Sequence, residues 1–422
     1  MNILMVTNTY APHVGGVARS VHGFTEEFRR RGHRVLVVAP MFDGAAESDA
    51  DVIRVRAIQN FNGSDFSVVL ATPKHVLRAV AAFAPDIVHS HHPFLLGATA
   101  VRLARTQRVP LVFTHHTLYE HYTHYVPGDS DTLKRFVVRL STNYANLSGE
   151  VFAPSKSIAD LLQNRQVKVP IQVVPTGVDL ADFEGGSGDG LRIAVGIPLG
   201  ATVVGHVGRL AEEKNPRFLA QAMAGFLAAQ PNSYALVVGD GSAREDMAVE
   251  FWRAGALDRV RFAGTLQASL LVSAYKAMDV FAFASTSETQ GMVLTEAMAA
   301  GVPVVAIDAS GVRDVVRDRV NGRLVPGANL AAFVEALTWV TSGSRNARSL
   351  AAGARRSAEQ FSTKRSADRA LARYRALVGR PLEATSELNW RRTARLIRAE
   401  WDIISATMGA ASRALQRRPQ EG

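Results

Sequence analysis

The sequence predicts an α/β protein with two domains, each built on a parallel β-sheet covered by helices. Three observations indicate this fold class. The chain has 422 residues, which is long enough for two separate hydrophobic cores. Short apolar runs alternate with longer segments of helical pattern, as in repeated βαβ units. Residues 184–190, EGGSGDG, form a Gly-rich segment between two such halves and indicate a linker.

The composition limits the cellular compartments and the binding partners that we expect for this protein. Hydrophobic residues make up 47% and charged residues 20%, as in soluble globular proteins, and the lack of cysteine excludes disulfides and thiolate metal sites. Residue 1 leads almost directly into an apolar strand, so we expect no signal peptide. Pro231 and neighbouring polar residues interrupt the one long uncharged run, so we expect no spanning helix and a cytosolic location. The net charge of +10 favours anionic partners such as nucleotide phosphates or anionic lipid. Nucleic acid is not expected, because the chain has neither zinc-finger spacing nor an aromatic RNA-binding motif.

The first domain is expected to open with a βαβ unit. Strands are predicted at residues 2–7 and 35–39, with a helix at 17–31 between them. Gly15 and Gly16 stand just before this helix, where bare backbone can approach a phosphate, although a plain turn is the simpler interpretation of these two residues alone. The loop lacks the G-x-G-x-x-G spacing, so dinucleotide binding is not supported.

Histidines crowd the ends of two further predicted strands, residues 86–90 and 111–113. Ligands bind at the carboxyl ends of strands in open parallel sheets, so these side chains are candidate ligand contacts. A zinc site is the alternative, but no H-E-x-x-H or H-x-x-E-H spacing occurs. A hydrogen bond to a ligand hydroxyl is the preferred interpretation. The histidines are His89, His91, His92, His115, His116, His121 and His124.

The second domain is expected to open with a strand at residues 203–207 that two cations follow. Arg209 comes directly after the strand, and Lys214 lies five residues later, just before the next predicted helix. Two cations at a strand-to-helix turn suit a diphosphate. The alternative is that both are surface cations paired with Glu212 and Glu213.

Residues 285–306 combine two carboxylates with a loop and a helix that stand between two predicted apolar strands, residues 280–284 and 304–307. The loop contains Glu288, and the helix begins near Gly291 and contains Glu296. The open N–H groups at the start of such a helix favour an anion. Carboxylates accept hydrogen bonds from hydroxyls, so the combination suits a phosphate that carries hydroxyls, such as a nucleotide sugar. A surface helix with two solvated glutamates is the alternative.

This stretch resembles the E-x7-E signature of the family 4 retaining glycosyltransferases of the GT-B fold. The segment around His116, THHTLYEHYTHYVP, is similar to the donor-site histidine segment of that family and looks most like the branch that glucosylates diacylglycerol. The resemblance covers residues 1–375 or so. It implies a GT-B architecture of two Rossmann-like domains facing a cleft. The acceptor-side domain would be residues 1–182, and the nucleotide-sugar-binding domain would be residues 190–380.

The resemblance also implies residue roles. Arg209 and Lys214 are expected to bind the nucleotide pyrophosphate and, with the helix N-terminus, to stabilise the leaving charge, so that neither a metal nor another cofactor is expected. Glu288 is expected to hold the sugar hydroxyls, and His116 is expected to contact the transferred sugar. These four are the expected catalytic residues. The expected donor-binding residues are Gly15, Gly16, Gln290, Gly291, Met292, Val293 and Glu296, the last through the ribose hydroxyls.

The tail, residues 383–422, is predicted to form a basic amphipathic helix. Its apolar stripe runs from Trp390 to Leu415 in steps of three and four and is flanked by arginines. It could pack on the body of the protein, form a dimer seam, or lie in a membrane interface. A lipid acceptor favours the membrane, and the basic helix expected at residues 131–147 is a second membrane candidate. We therefore expect peripheral attachment to the inner face of the cell membrane and leave the oligomeric state open.

The expected function is transfer of glucose from UDP-glucose to a lipid such as diacylglycerol, with retention implied only by the resemblance. The same donor chemistry could serve a soluble sugar or a polyprenyl-linked glycan. A nucleotide-sugar epimerase would need no acceptor. A phosphorylase of this fold would need a pyridoxal lysine, for which the sequence offers no context. A non-catalytic basic membrane module would leave the two glutamates and the two cations without a purpose.

Overall fold

The structure is a computed structural model that describes residues 1–13, 15–42, 51–58, 68–69, 74–121, 123 and 130–379. The amphipathic helix expected at residues 383–422 lies outside this part of the chain. The chain divides into two compact units. Unit 1 comprises Met1–Pro154, Ala159–Val174 and the described residues from Ala367 onward, and unit 2 comprises Ser155–Ile158 and Pro175–Ser366.

The first part of the chain forms a parallel sheet from short apolar runs. Every residue of three of its strands, β6, β7 and β8 below, is buried, as expected for a parallel sheet covered on both faces. The strands are β1 (Asn2–Val6), β2 (Arg34–Pro40), β3 (Val52–Val55), β4 (Ala57–Ile58), β5 (Val68–Val69), β6 (Ile87–Ser90), β7 (Leu111–Thr114), β8 (Glu150–Ala153) and β9 (Ile171–Val173). The helices are α1 (Gly16–Arg30), α2 (Lys74–Phe83), α3 (Leu96–Gln107), α4 (Asp131–Ala145) and α5 (Lys156–Asn164). Within the described residues, seven strands form one parallel sheet in the order β3-β2-β1-β6-β7-β8-β9, and β4 pairs with β5 in an antiparallel ladder.

Unit 2 repeats this construction. Its strands are β10 (Thr202–Val207), β11 (Ser233–Val238), β12 (Val260–Gly264), β13 (Val280–Phe283), β14 (Val304–Ile307) and β15 (Gly322–Val325). The helices are α6 (Asp189–Ala194), α7 (Pro216–Ala229), α8 (Arg244–Arg253), α9 (Ala268–Lys276), α10 (Met292–Ala299), α11 (Leu330–Thr341), α12 (Ser344–Gln360) and α13 (Thr363–Val378), most of which belongs to unit 1. In the described part of the unit, six strands form one parallel sheet in the order β12-β11-β10-β13-β14-β15. The predicted fold class, two Rossmann-like α/β domains, is confirmed.

Helix α13 is part of the core of unit 1. Leu371 and Tyr374 lie within that core, buried with residues of β1 and β2. Arg373 donates two hydrogen bonds, of 2.7 and 3.0 Å, to the carboxylate of Glu150 on β8, which is fully buried. The end of the described chain therefore belongs with unit 1, whereas the expected second domain extended to residue 380.

The Gly-rich segment 184–190 lies inside unit 2, and the chain enters that unit earlier, at Pro175. Backbone hydrogen bonds hold the entering segment, because Val178 donates to the carbonyl of Phe361 at 2.9 Å. The ammonium group of Lys276 on α9 donates to the carbonyl of Gly185. Specific contacts thus fix a stretch whose composition alone indicates a linker.

The strand order reverses at the centre of each sheet. In unit 1 the chain runs outward from β1 to β3 and then returns to β6 on the other side of β1. In unit 2 it runs outward from β10 to β12 and then returns to β13 on the other side of β10. Ligands of open α/β sheets bind beyond the carboxyl ends of the strands at such switch points. Among the helices that the structure describes, none combines the length and the apolar character needed to cross a bilayer.

Candidate active site

The loop between β13 and α10 places the anion-binding end of a helix at the switch point of unit 2. Gly291 is the residue before α10 and has a φ of +76°, a left-handed conformation that side chains rarely adopt. A Cβ at this position would also lie 2.9 Å from the side chain of Leu294. Glycine thus permits the sharp turn that starts α10 at Met292, and the first N–H groups of the helix, including that of Val293, lie just beyond the sheet.

Two cations stand on the neighbouring loop, between β10 and α7, and each is paired with a carboxylate. Arg209 contacts Glu213 at 2.5 Å, which is the surface pairing considered as the alternative for this residue. Lys214 instead contacts Glu288 at 2.5 Å, across the switch point and 74 residues away in sequence. Both partners of this second pair are largely buried, with side-chain exposures of 19% and 16%.

The Lys214 pair keeps Glu288 ionised. Burial raises the pKa of this carboxyl, but the charge and the hydrogen bond of Lys214, with smaller contributions from Ser285 and from the charge of Arg209, outweigh burial, so the pKa of Glu288 lies below its ordinary value. At neutral pH the side chain is therefore a pure hydrogen-bond acceptor beside a helix N-terminus.

Glu296 lies in α10 and is held by a buried tyrosine. Its side chain is 7% exposed, and the hydroxyl of Tyr275 on α9, itself fully buried, donates to Oε2 at 2.6 Å. A charge-assisted hydrogen bond of this length fixes the rotation of the carboxylate. Tyr275 was not predicted as a site residue, because it lies on another helix, 21 positions before Glu296, and the sequence holds no local signal of this contact.

The side chain of Gln290 supports the β13–α10 loop, a role separate from the donor contact expected for this residue. Its side chain is buried and forms a two-sided bridge to Thr176, where Oε1 accepts from the backbone N–H at 2.7 Å and Nε2 donates to the carbonyl at 2.9 Å. On another side of the loop, a Cβ at Gly311 would lie 2.5 Å from the carbonyl of Glu288, so the two backbones touch. The β13–α10 loop is therefore held from both sides.

The predicted residues of unit 1 lie at the corresponding edge of its sheet. Gly15 precedes α1 and Gly16 is its first residue, directly after the loop that follows β1. His116 follows β7 and its Nε2 lies 2.9 Å from Nδ1 of His91, which follows β6. The expected site residues are therefore divided between the two units, with Gly15, Gly16 and His116 in unit 1. Arg209, Lys214 and residues 288–296 lie in unit 2.

Four histidines of unit 1 are buried, His89, His91, His92 and His115, and His116 beside them is partly buried. Burial lowers the pKa of His89 and His92 to about 3 and that of His115 to about 4. Burial also holds the pKa values of His91 and His116 well below the ordinary range. Within the described residues, no group of three or more His, Cys, Asp or Glu side chains is placed to hold a metal ion.

The chain matches known protein families and individual proteins along most of its length. Residues 14–182 match the family described as Glycosyltransferase Family 4, and residues 190–357 match the family described as Glycosyl transferases group 1. The chain is 31% identical over 345 residues to the alpha-monoglucosyldiacylglycerol synthase of Streptococcus pneumoniae, covering 80% of this chain and 78% of that protein. It is 31% identical over 322 residues to the GDP-mannose-dependent alpha-mannosyltransferase of Mycolicibacterium smegmatis, covering 75% of this chain and 82% of that protein.

The fold is also that of solved glycosyltransferase structures. The crystal structure of Anabaena HepE in complex with UDP superposes with a TM-score of 0.70 at 23% identity, over 89% of this chain and all of that one. The likeness to HepE concerns the fold, and the likeness to the sequence relatives covers most of the chain. The chain belongs to glycosyltransferase family 4 and is a hexosyltransferase with the GT-B fold.

Proposed function

We propose that the enzyme transfers glucose from UDP-glucose to a lipid acceptor such as diacylglycerol at a membrane surface, with retention of the anomeric configuration. The observation that carries the donor part is the group at the switch point of unit 2, where Lys214 and Glu288 meet beside the N-terminus of α10. The S. pneumoniae relative, named as a glucosyldiacylglycerol synthase, supports glucose and a lipid acceptor.

The donor diphosphate would bind between the cations and the helix. In the transfer step, the bond between the anomeric carbon and the β-phosphate oxygen breaks, and the electron pair stays on the diphosphate. Arg209, Lys214 and the N–H groups of α10 would stabilise that growing negative charge. The acceptor hydroxyl forms the new bond to the anomeric carbon, and its proton passes to the departing diphosphate. With the charge stabilised by side chains and backbone, we propose that the step needs no metal ion.

Carboxylates would bind the hydroxyls of the donor. Glu288 is ionised and would accept hydrogen bonds from the sugar, together with contacts from the backbone of residues 290–293. Glu296, oriented by Tyr275, would accept hydrogen bonds from the ribose hydroxyls. In unit 1, His116 would bind a hydroxyl of the transferred sugar. The backbone at Gly15 and Gly16 would contact the diphosphate or the acceptor.

Helix α4 offers a surface for an anionic membrane. Lys134, Arg135 and Arg139 line a cavity of about 600 Å³ in unit 1, where three cations face the one carboxylate of the lining, that of Glu120. Each basic residue near an anionic lipid surface is worth about 1 kcal/mol. These side chains would therefore support a peripheral membrane location, alongside the helix predicted from the sequence at residues 383–422.

The M. smegmatis relative favours a second candidate, mannosyl transfer from GDP-mannose.

A screen of donors against acceptors separates glucosyl transfer, mannosyl transfer and epimerisation. UDP-glucose and GDP-mannose are each incubated with diacylglycerol in anionic vesicles, diacylglycerol in neutral vesicles, a soluble sugar, or no acceptor, and the products are identified by mass spectrometry. We expect glucosyldiacylglycerol from UDP-glucose, with a higher rate on anionic vesicles. Mannosyl lipid would establish the second candidate. A product from the soluble sugar alone would refute the lipid acceptor, and an altered sugar nucleotide without acceptor would identify an epimerase.

A further inference from the structure

The side chain of His92 bridges the ends of β1 and β6, the two strands at the switch point of unit 1. His92 lies two residues after β6, and its Nδ1 accepts a hydrogen bond of 3.1 Å from the backbone N–H of Asn8, two residues after β1. The side chain of Asn8 also holds the loop after β6, because it accepts from the N–H of Leu96 and donates to the carbonyl of Phe94, both at 3.1 Å. The His92 ring is therefore fixed at a place where open parallel sheets bind their ligands.

The contact with Asn8 determines which nitrogen of His92 carries hydrogen. A backbone N–H can only donate, so Nδ1 of the ring is bare. Oγ1 of Thr7 lies 3.5 Å from the same nitrogen, but its hydrogen goes to the carbonyl of Thr9 at 2.9 Å. Burial, with the charge that His13 can carry, lowers the pKa of His92 to about 3. The ring is thus neutral near pH 7, with its one hydrogen on Nε2.

The Nε2–H group of His92 is available to a ligand. Within the part of the chain that the structure describes, this nitrogen has no hydrogen-bond partner, although the residue is only 9% exposed. An N–H group in such a place needs an oxygen to accept its hydrogen, from water when the site is empty and from a ligand when it is filled. Positive charge on His92 would lower the pKa of His116, so His92 lies close to the residue that we propose as the sugar contact.

We propose that Nε2–H of His92 donates a hydrogen bond to an ester carbonyl oxygen of the diacylglycerol. This inference rests on the proposed function, in which that lipid is the acceptor. Diacylglycerol offers the N–H group a hydroxyl oxygen and two ester carbonyl oxygens. The hydroxyl oxygen uses a lone pair to form the new bond to the anomeric carbon, so a hydrogen bond to that lone pair would oppose the attack. A carbonyl oxygen has lone pairs and no hydrogen, which suits a group that can only donate.

Such a contact would distinguish ester-linked from ether-linked lipids. A diether of glycerol with the same chain length keeps the hydroxyl and the apolar chains but has no carbonyl oxygen. Its binding would leave Nε2–H of His92 without a partner in the complex. We expect the wild-type kcat/KM to be about three- to tenfold lower for the diether than for the diester, the effect of one neutral hydrogen bond.

Nitrogen NMR of the ligand-free protein tests the tautomer. Protonated and bare ring nitrogens have well-separated resonances, and the signals that disappear in His92→Asn belong to this ring. We expect hydrogen on Nε2 of His92 in the wild-type protein at pH 7.5. Hydrogen on Nδ1 instead would overturn the proposal, and this result does not depend on the folding of any variant.

Two variants separate the lipid contact from the contact with Asn8. His92→Asn places an amide oxygen near the position of Nδ1, where it can still accept from Asn8, but has no atom at the position of Nε2. His92→Gln reaches the position of Nε2 with an amide N–H and loses the contact with Asn8. We expect His92→Asn to use the diester and the diether equally well, and His92→Gln to keep the preference for the diester but to melt at a lower temperature. A purely structural role of His92 predicts the reverse, with impaired transfer in His92→Gln and normal transfer in His92→Asn.

The lipid pair also separates this proposal from the proposed function. Both lipids are supplied in anionic vesicles with UDP-glucose, and calorimetry with UDP should give wild-type affinity in both variants, because the proposed nucleotide site lies in unit 2. Equal use of the two lipids by the wild type, or an unchanged preference in a folded His92→Asn protein, overturns the carbonyl contact and leaves the lipid acceptor in place. No transfer to either lipid by the wild type refutes the lipid acceptor itself, and the carbonyl contact with it.

Discussion

Removing the carboxylate of Glu296 should weaken nucleotide binding by a calculable amount. A carboxylate has about four acceptor positions, and the hydroxyl of Tyr275 occupies one of them on Oε2. We propose that ribose hydroxyls use others. A hydrogen bond to a charged group contributes about 1.5–3 kcal/mol, so Glu296→Ala should raise the Kd of UDP about ten- to hundredfold. Glu296→Gln keeps one acceptor oxygen and should lie between the wild type and the alanine variant.

Calorimetric titration of UDP measures this effect, and Tyr275→Phe is the matched control. That substitution removes the hydroxyl that orients Glu296 but leaves the carboxylate, so the Kd of UDP should change much less than in Glu296→Ala. Circular dichroism melting establishes that each variant is folded. A folded Glu296→Ala protein with wild-type affinity for UDP would remove this residue from the nucleotide site.

Gln290→Ala removes both hydrogen bonds to Thr176. Thermal melting should show a lower melting temperature, and steady-state kinetics should show a higher KM for the donor. If both values are unchanged, Gln290 does not support the loop. Transfer activity should survive EDTA, and a complete loss that one divalent ion restores would refute the metal-free step. Acid should destabilise unit 1. The pKa values of His89, His92 and His115 lie at about 3 to 4 in the folded state. Below pH 6.5 the unfolded chain therefore binds more protons than the folded chain. From these three histidines, the free energy of unfolding should fall by up to about 4 kcal/mol per pH unit until the pH reaches about 4. Denaturant unfolding at pH 7.5 and 5.5 measures this, and equal stability at both would contradict the buried neutral state.

Local patterns predicted the elements around the site closely. The apolar run 304–307 is strand β14 with the same limits, and the helix expected to begin near Gly291 starts at Met292. Gly291 predicts the start of the helix, because the turn before the helix requires a left-handed φ, which glycine adopts readily. The carboxyl ends of β10 and β13 meet at one edge because adjacent parallel strands point the same way, so the shared location of Arg209 and the β13–α10 loop also follows from the pattern.

Contacts between distant residues could not be predicted in the same way. The sequence offered Glu212 and Glu213 as neighbours of Lys214, whereas the folded chain pairs Lys214 with Glu288. The bridge from Gln290 to Thr176 spans 114 residues. Such partners depend on how the loops of one sheet edge pack together, and no periodicity or local propensity records that packing.

The proposed transfer requires that the nucleotide of the donor binds to unit 2, at the sheet edge formed by β10 and β13. A crystal structure of the protein with UDP tests it most directly. We predict the ribose hydroxyls within hydrogen-bonding distance, about 3 Å, of the Glu296 carboxylate, and the diphosphate beside Arg209, Lys214 and the first N–H groups of α10. Ordered UDP elsewhere in the molecule, or at this edge without contact to Glu296 and either cation, would contradict the proposed donor site.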